Sequence, residues 1–149
     1  MNYLLTLLSI FMLFGQAVAQ RITEDQVPAI VLNSVLQNFP KAKDLAWKKK
    51  EDNTYKVEFY KGKPWQEHEL LLASNGDILK HKQKIKVDDL PPAIPAIITR
   101  SYPSYKIDEV TYVRFKAKVY YKIALENKNK SVTIYILPSG KIVDKITSS

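Results

Sequence analysis

The chain of 149 residues contains no cysteine, only four glycines and only two histidines. Without a thiol, cysteine catalysis and disulfide staples are both excluded, so an apolar core must hold the fold by itself. No G-x-S-x-G stretch occurs, and the glycines are too few and too scattered to cradle a phosphate. No apolar run is long enough to cross a bilayer either: Leu4–Phe14 is about half of the roughly 20 residues that a helical span needs.

That short run is followed by Ala17-Val18-Ala19, the small-residue ending of a secretory signal peptide. Residues 1–19 are therefore expected to be cleaved before Gln20. The rest, 20–149, is the right length for one domain, periplasmic or secreted, with no membrane span after cleavage. Basic residues number 23 and acidic ones 15, a net charge of +8. The excess is even: residues 20–86 carry 13 basic and 9 acidic groups, and residues 87–149 carry 10 and 6. An even spread describes a lysine-rich surface more than a dedicated polyanion-binding tail. Export makes nucleic acid a poor partner.

The chain also reads as two copies of one pattern. Val27, Val31, Val35 and Phe39 recur as Leu90, Ile94, Ile98 and Tyr102, at the spacing of the inner stripe of a helix. Asp25 and Asp88 stand where helix caps are expected, and Pro40 and Pro103 close both stripes. Pro95 is expected to kink or shorten the second helix. Alternating strands follow: Tyr55, Val57 and Phe59 face one side and Lys56 and Glu58 the other, and Tyr121–Leu125 repeats this. Asn75-Gly76 and Ser139-Gly140 mark corresponding hairpins. The fold class expected is α+β: two tandem helix-plus-antiparallel-sheet repeats, about 22–86 and 87–149, with the helices packed on one face of the sheet.

In the Val/Leu-Pro start, the aromatic-Pro-to-Lys corner, the Y-K-V-E-F strand and N-G-D-I, the chain resembles the PepSY-like exported proteins, likened to the β-lactamase-inhibitor protein. The resemblance covers almost all of residues 20–149. It implies tandem helix-plus-sheet units, export, no catalytic residues, and binding or restraint of other proteins outside the cytoplasm.

Searching the residues for chemistry finds no enzyme. With Asn75-Gly76 as the turn, His68 faces Gln83 and His81 faces Leu70, so the histidines are not directly opposed. They read as isolated surface residues, with no metal site and no cofactor. Glu67/Glu69 and Asp88/Asp89 lack the burial that would tune an acid–base pair. Aromatic residues are more informative. Tyr55, Tyr121 and Trp47 share phase with the core, whereas Tyr60, Tyr120 and Tyr135 fall on the opposite face, and Trp65 shares phase with Glu67 and Glu69. Tyr60, Trp65, Tyr120 and Tyr135, with Lys56 and Lys122, are the candidate contacts of a protein or peptide partner, since large amphipathic rings bury area at small entropic cost. The function expected is an exported, non-catalytic binding module, an inhibitor or regulator acting through its open sheet face. The alternative is binding to a polyanion or anionic envelope surface through Lys48, Lys50, Lys56, Lys80, Lys82, Lys84 and Lys122.

Overall fold

The computed structural model describes residues 19–148. The expected signal peptide therefore lies outside the described residues, apart from Ala19. Among the described residues nine strands form one sheet: β1 (Gln20–Ile22), β2 (Ala42–Lys49), β3 (Tyr55–Lys61), β4 (Glu67–Leu72), β5 (Ile78–Ile85), β6 (Lys106–Phe115), β7 (Lys118–Glu126), β8 (Ser131–Ile136) and β9 (Ile142–Ser148). They lie side by side in chain order, and every neighbouring pair is antiparallel. Two short helices interrupt the meander: α1 (Ala29–Asn38) precedes β2, and α2 (Ala93–Ser101) precedes β6.

The fold is thus mainly β, and the expectation of an α+β fold, two tandem helix-plus-antiparallel-sheet repeats with the helices packed on one face of the sheet, is corrected: strands predominate and form a single antiparallel sheet. Strands β5 and β6 pair over Lys80–Ile85 and Val110–Phe115, so the sheet runs on without a break where a boundary between repeats was expected. The helices, of 10 and 9 residues, are minor partners. Each contributes two buried side chains, Val31 and Val35 or Ile94 and Ile98, to cores otherwise made mostly by strands.

Alternation explains the cores. In β3 Tyr55, Val57 and Phe59 are buried; in β4 His68, Leu70 and Leu72; in β7 Tyr121, Ile123 and Leu125; in β8 Val132, Ile134 and Ile136. Two clusters result, one around Val57, Phe59, Leu70 and Trp47, the other around Ile123, Leu125, Ile134 and Val110. Removing such side chains from water contributes about 1.5–3 kcal/mol each, the main term available to a chain without disulfides.

Local chemistry differs from expectation at the helix starts. Asp25 and Asp88 cap neither helix; they lie one turn upstream in 3-10 turns, Glu24–Gln26 and Val87–Asp89, and Pro28 and Pro92 hold the capping positions. Pro95 is the third residue of α2, where a missing N–H removes no helical hydrogen bond, so the helix continues to Ser101. The β4–β5 hairpin is a three-residue loop: Ala73 N–H donates to Asp77 O at 2.9 Å, and Gly76 carries the positive φ of +89°. Each helix rests on such a turn. A Cβ on Gly76 would come within 2.9 Å of Ile30 O, and one on Gly140 within 2.2 Å of Ile97 Cδ1.

Candidate functional site

The sheet face opposite the two cores carries Lys48 on β2, Lys56, Glu58 and Tyr60 on β3, and Glu67 and Glu69 on β4. It continues with Lys80, Lys82 and Lys84 on β5, Thr111 and Val113 on β6, Tyr120 and Lys122 on β7, and Tyr135 on β8. Because opposed residues in an antiparallel pair share a face, charges meet across the strands. Glu58 takes Lys56 at 2.8 Å and Lys48 at 3.8 Å; Glu69 takes Lys56 at 2.6 Å and Lys82 at 2.8 Å. Lys84 lies 3.2 Å from both Glu67 and Glu109. Burial opposes the charge on Lys56, but the Glu58 and Glu69 carboxylates outweigh it and hold the ammonium above its usual range. Glu69 is likewise penalised by burial, and Lys56 and Lys82 still hold it below the usual carboxylate range. Lys80 behaves in the opposite way: burial, then the nearby Lys82, lowers it.

A concavity of about 290 Å³ opens in the middle of this face. Tyr120 and Tyr135 line it with ring centroids 6.0 Å apart, and Lys122 pairs with Tyr135 across β7 and β8. Three of the six candidate contacts are thereby brought together. Lys56 is not among them, being held in the carboxylate ladder. Tyr60 is exposed beside Glu67, outside the concavity. Trp65 sits before the first residue of β4, in the β3–β4 connection, with Lys86 Nζ 4.8 Å from its ring centroid and Lys63 Nζ at 6.0 Å. Of the seven lysines of the anionic-surface reading, Lys48, Lys56, Lys82 and Lys84 are paired with carboxylates, so a polyanion would have to displace internal ion pairs. Sequence reasoning missed Thr111 and Val113 in the concavity, because β6 reaches it only through its pairing with β5.

The other miss lies on the core face. His68 and His81 are not on the surface: both are buried, at 3% and 9% exposure. The expected register is present, with His68 opposite Gln83 and His81 opposite Leu70, yet the side chains meet on the diagonal, His68 Nδ1 lying 2.9 Å from His81 Nε2. The rings are within 10° of parallel with centroids 5.2 Å apart. That separation is what two coplanar imidazoles need to meet nitrogen to nitrogen. Phe59 stacks on His68 at 5.1 Å, Phe39 meets both imidazoles edge-on, and Tyr112 meets His81 at 6.0 Å. The pair thus joins the first core to the second. Burial, then Lys61, lowers His68; burial, then His68 itself and after it Arg114 and Lys61, lowers His81 to about 4. The signal was in the sequence: His68, Leu70 and Leu72 share one parity, and so one face.

The PepSY-like family, described as "Putative beta-lactamase-inhibitor-like, PepSY-like", matches the sequence twice, over residues 16–80 and 77–144. The chain belongs to this family. Among solved structures it is similar to a DUF2874 family protein from Bacteroides uniformis, with 20% identity over 80% of this chain and 88% of that one and a TM-score of 0.69. It is also similar to a BLIP-like protein from Bacteroides fragilis, at 18% identity, 80% and 85% coverage and a TM-score of 0.67. A protein from Bacteroides eggerthii, named as a "putative periplasmic" protein, matches at 17% identity, 81% and 88% coverage and a TM-score of 0.71. At these identities the structural likeness concerns the fold. No curated protein matches the chain. Among the described residues no helix of this PepSY-like protein is long and apolar enough to cross a membrane, and no three His, Cys, Asp or Glu side chains gather as metal ligands.

Proposed function

We propose that this PepSY-like protein is an exported, non-catalytic binding module that engages a protein or peptide through the concave sheet face. The observation that carries the reading is the Tyr120–Tyr135 pair, half-buried in a concavity beside Lys122. Paired rings on a rigid sheet offer contact area that loses little entropy on binding. Lys80 and Lys122 have no carboxylate within 4.0 Å among the described residues, unlike their neighbours in the ladder, so a partner with acidic groups gains most there. Restraint of an extracytoplasmic enzyme is the role that fits both this face and the family's inhibitor-like description. Export follows the signal-like residues 1–19 and agrees with the description of the B. eggerthii relative.

Capture of a partner from envelope extract, followed by its purification and quantitative binding, tests the reading. Tyr120→Ala with Tyr135→Ala is expected to weaken binding by at least about tenfold, the scale of losing central aromatic anchors. A purified partner that binds the double variant as tightly as the parent chain would sink the assignment to this face.

A further inference from the structure

On the opposite side of the sheet, a cleft of about 480 Å³ opens beside the histidine pair. It lies between the Phe39-Pro40-Lys41 corner that ends α1 and the β3–β4 connection. Its polar lining is Lys41, Lys61, Gln66, Gln83 and the two histidines, with Phe39 as an apolar wall. No carboxylate lines it. Besides the effect of His68 on His81, the charged groups that bear on the imidazoles among the described residues are cations: Lys61 at the end of β3 acts on both, and Arg114, opposite His81 on β6, acts on His81. From α1's end Lys41 faces the same space, and from β6 the hydroxyl-bearing Tyr112 packs on His81.

The protons of the pair follow from which nitrogens are enclosed. One proton must sit between His68 Nδ1 and His81 Nε2, since two lone pairs at 2.9 Å repel. The second proton of a neutral pair has two places, His68 Nε2 or His81 Nδ1. His68 Nε2 is fully enclosed and has no hydrogen-bond partner; His81 Nδ1 is not enclosed. A buried N–H without an acceptor costs about 1–3 kcal/mol, so the proton belongs on His81 Nδ1. Adding a third proton would force one onto the enclosed Nε2 beside cations. The neutral pair therefore persists, with His81 presenting an N–H donor.

Metal binding does not fit this arrangement. Two ligands among cations, with no third His, Cys, Asp or Glu within reach among the described residues, are a poor cage for a divalent ion. The lining fits the opposite charge. We infer that this cleft is a binding site for a small organic carboxylate, held by the Lys41 and Lys61 ammonium groups and by neutral donors from Gln66, Gln83 and His81. The volume exceeds what a bare inorganic anion fills, and Phe39 gives an apolar body something to pack on. The site lies on the face away from Tyr120 and Tyr135 and does not depend on the protein-binding reading.

Benzoate is the probe, with sulfate as control, followed by the histidine ring resonances of the full chain at constant ionic strength. Saturable shifts confined to His68 and His81 are expected with benzoate, and weaker ones with sulfate. Lys61→Gln and Lys41→Gln, both at exposed positions, should each weaken benzoate about tenfold, the effect of losing one charge-assisted hydrogen bond. Because the floor is neutral already, affinity should stay flat between about pH 8 and pH 6. Tyr120→Ala should change nothing. Absence of saturable shifts would overturn the inference. So would unchanged affinity in both lysine variants, or affinity that climbs with each unit of acidification.

Discussion

In the first core Phe59 of β3 stands opposite His68 of β4, and His68 meets His81 of β5 on the diagonal. At the corresponding places of the second core are Leu125 of β7, Val132 of β8 and Lys145 of β9. The rest of the two cores follows one plan. Val57 and Leu70 correspond to Ile123 and Ile134, and the bulge between Lys43 and Ala46 to the one between Ile107 and Glu109. The exception falls where the surroundings differ. β5 has β6 beside it, so a polar side chain on its inner face is enclosed and must find a partner. β9 is an edge strand, and Lys145 reaches water. Polar residues in this sheet are thus set by what lies next to the strand rather than by position in the repeated pattern.

Truncating the stacked ring tests that contrast most severely. Phe59→Ala should cost about 3–5 kcal/mol, and Ile134→Ala in the second core about 2–5 kcal/mol, read as denaturant midpoints. Only the first should also disturb the histidine resonances, since Phe59 lies against His68. If Ile134→Ala shifts them equally, the two cores are more tightly coupled than their separate clusters imply.

Acid should separate the cores next. His81 titrates at about 4 in the fold against 6.5 in the open chain, with burial as the main cause. Between those values the unfolded chain binds more protons, so stability is complete above about pH 6.5 and falls as the pH drops toward 4. The loss should reach roughly 2–3 kcal/mol at 1.36 kcal/mol per pH unit. His68→Val with His81→Leu, which gives the first core an aliphatic lining like the second, should flatten unfolding free energy over that window. A slope kept by the double variant would assign the acid sensitivity elsewhere, with the Glu58 and Glu69 carboxylates as the next groups to lose their pairing at lower pH.

The hairpin turns under the helices give a smaller difference. Gly76 and Gly140 share nearly the same φ, +89° and +88°, so alanine at either carries about 1–2 kcal/mol of backbone strain. What the new methyl meets is not the same: backbone Ile30 O at Gly76, but the tip of the Ile97 side chain at Gly140. A rotamer change can clear the second contact and not the first. Thermal unfolding should therefore rank Gly76→Ala below Gly140→Ala. The reverse order would mean that Ile97 is locked in place by α2.

Much of this was legible in the sequence because a strand's side chains alternate with a period of two. That parity placed Trp47, Tyr55 and Tyr121 in the core and Tyr60, Tyr120 and Tyr135 on the other face. Hairpin arithmetic supplied the pairing of His68 with Gln83. Burial of the histidines was available from the same parity but was hidden by their polarity, which argues for the surface when taken alone. Trp65 is exposed as its phase suggested, although it lies in the turn before β4 rather than in the strand.

The sequence by itself determined faces, turns and local register, since these depend on neighbours a few residues apart and on the backbone freedom of Gly76 and Gly140. Only the tertiary structure decided that β5 pairs with β6 across the intervening α2, which makes one continuous sheet of what reads as two units. That long-range pairing makes the sheet continuous, puts Lys80 and Val113 into the concavity with Tyr120 and Tyr135, and encloses His81. Its strands come from segments some thirty residues apart, and nothing in either segment's own pattern names the other as its partner.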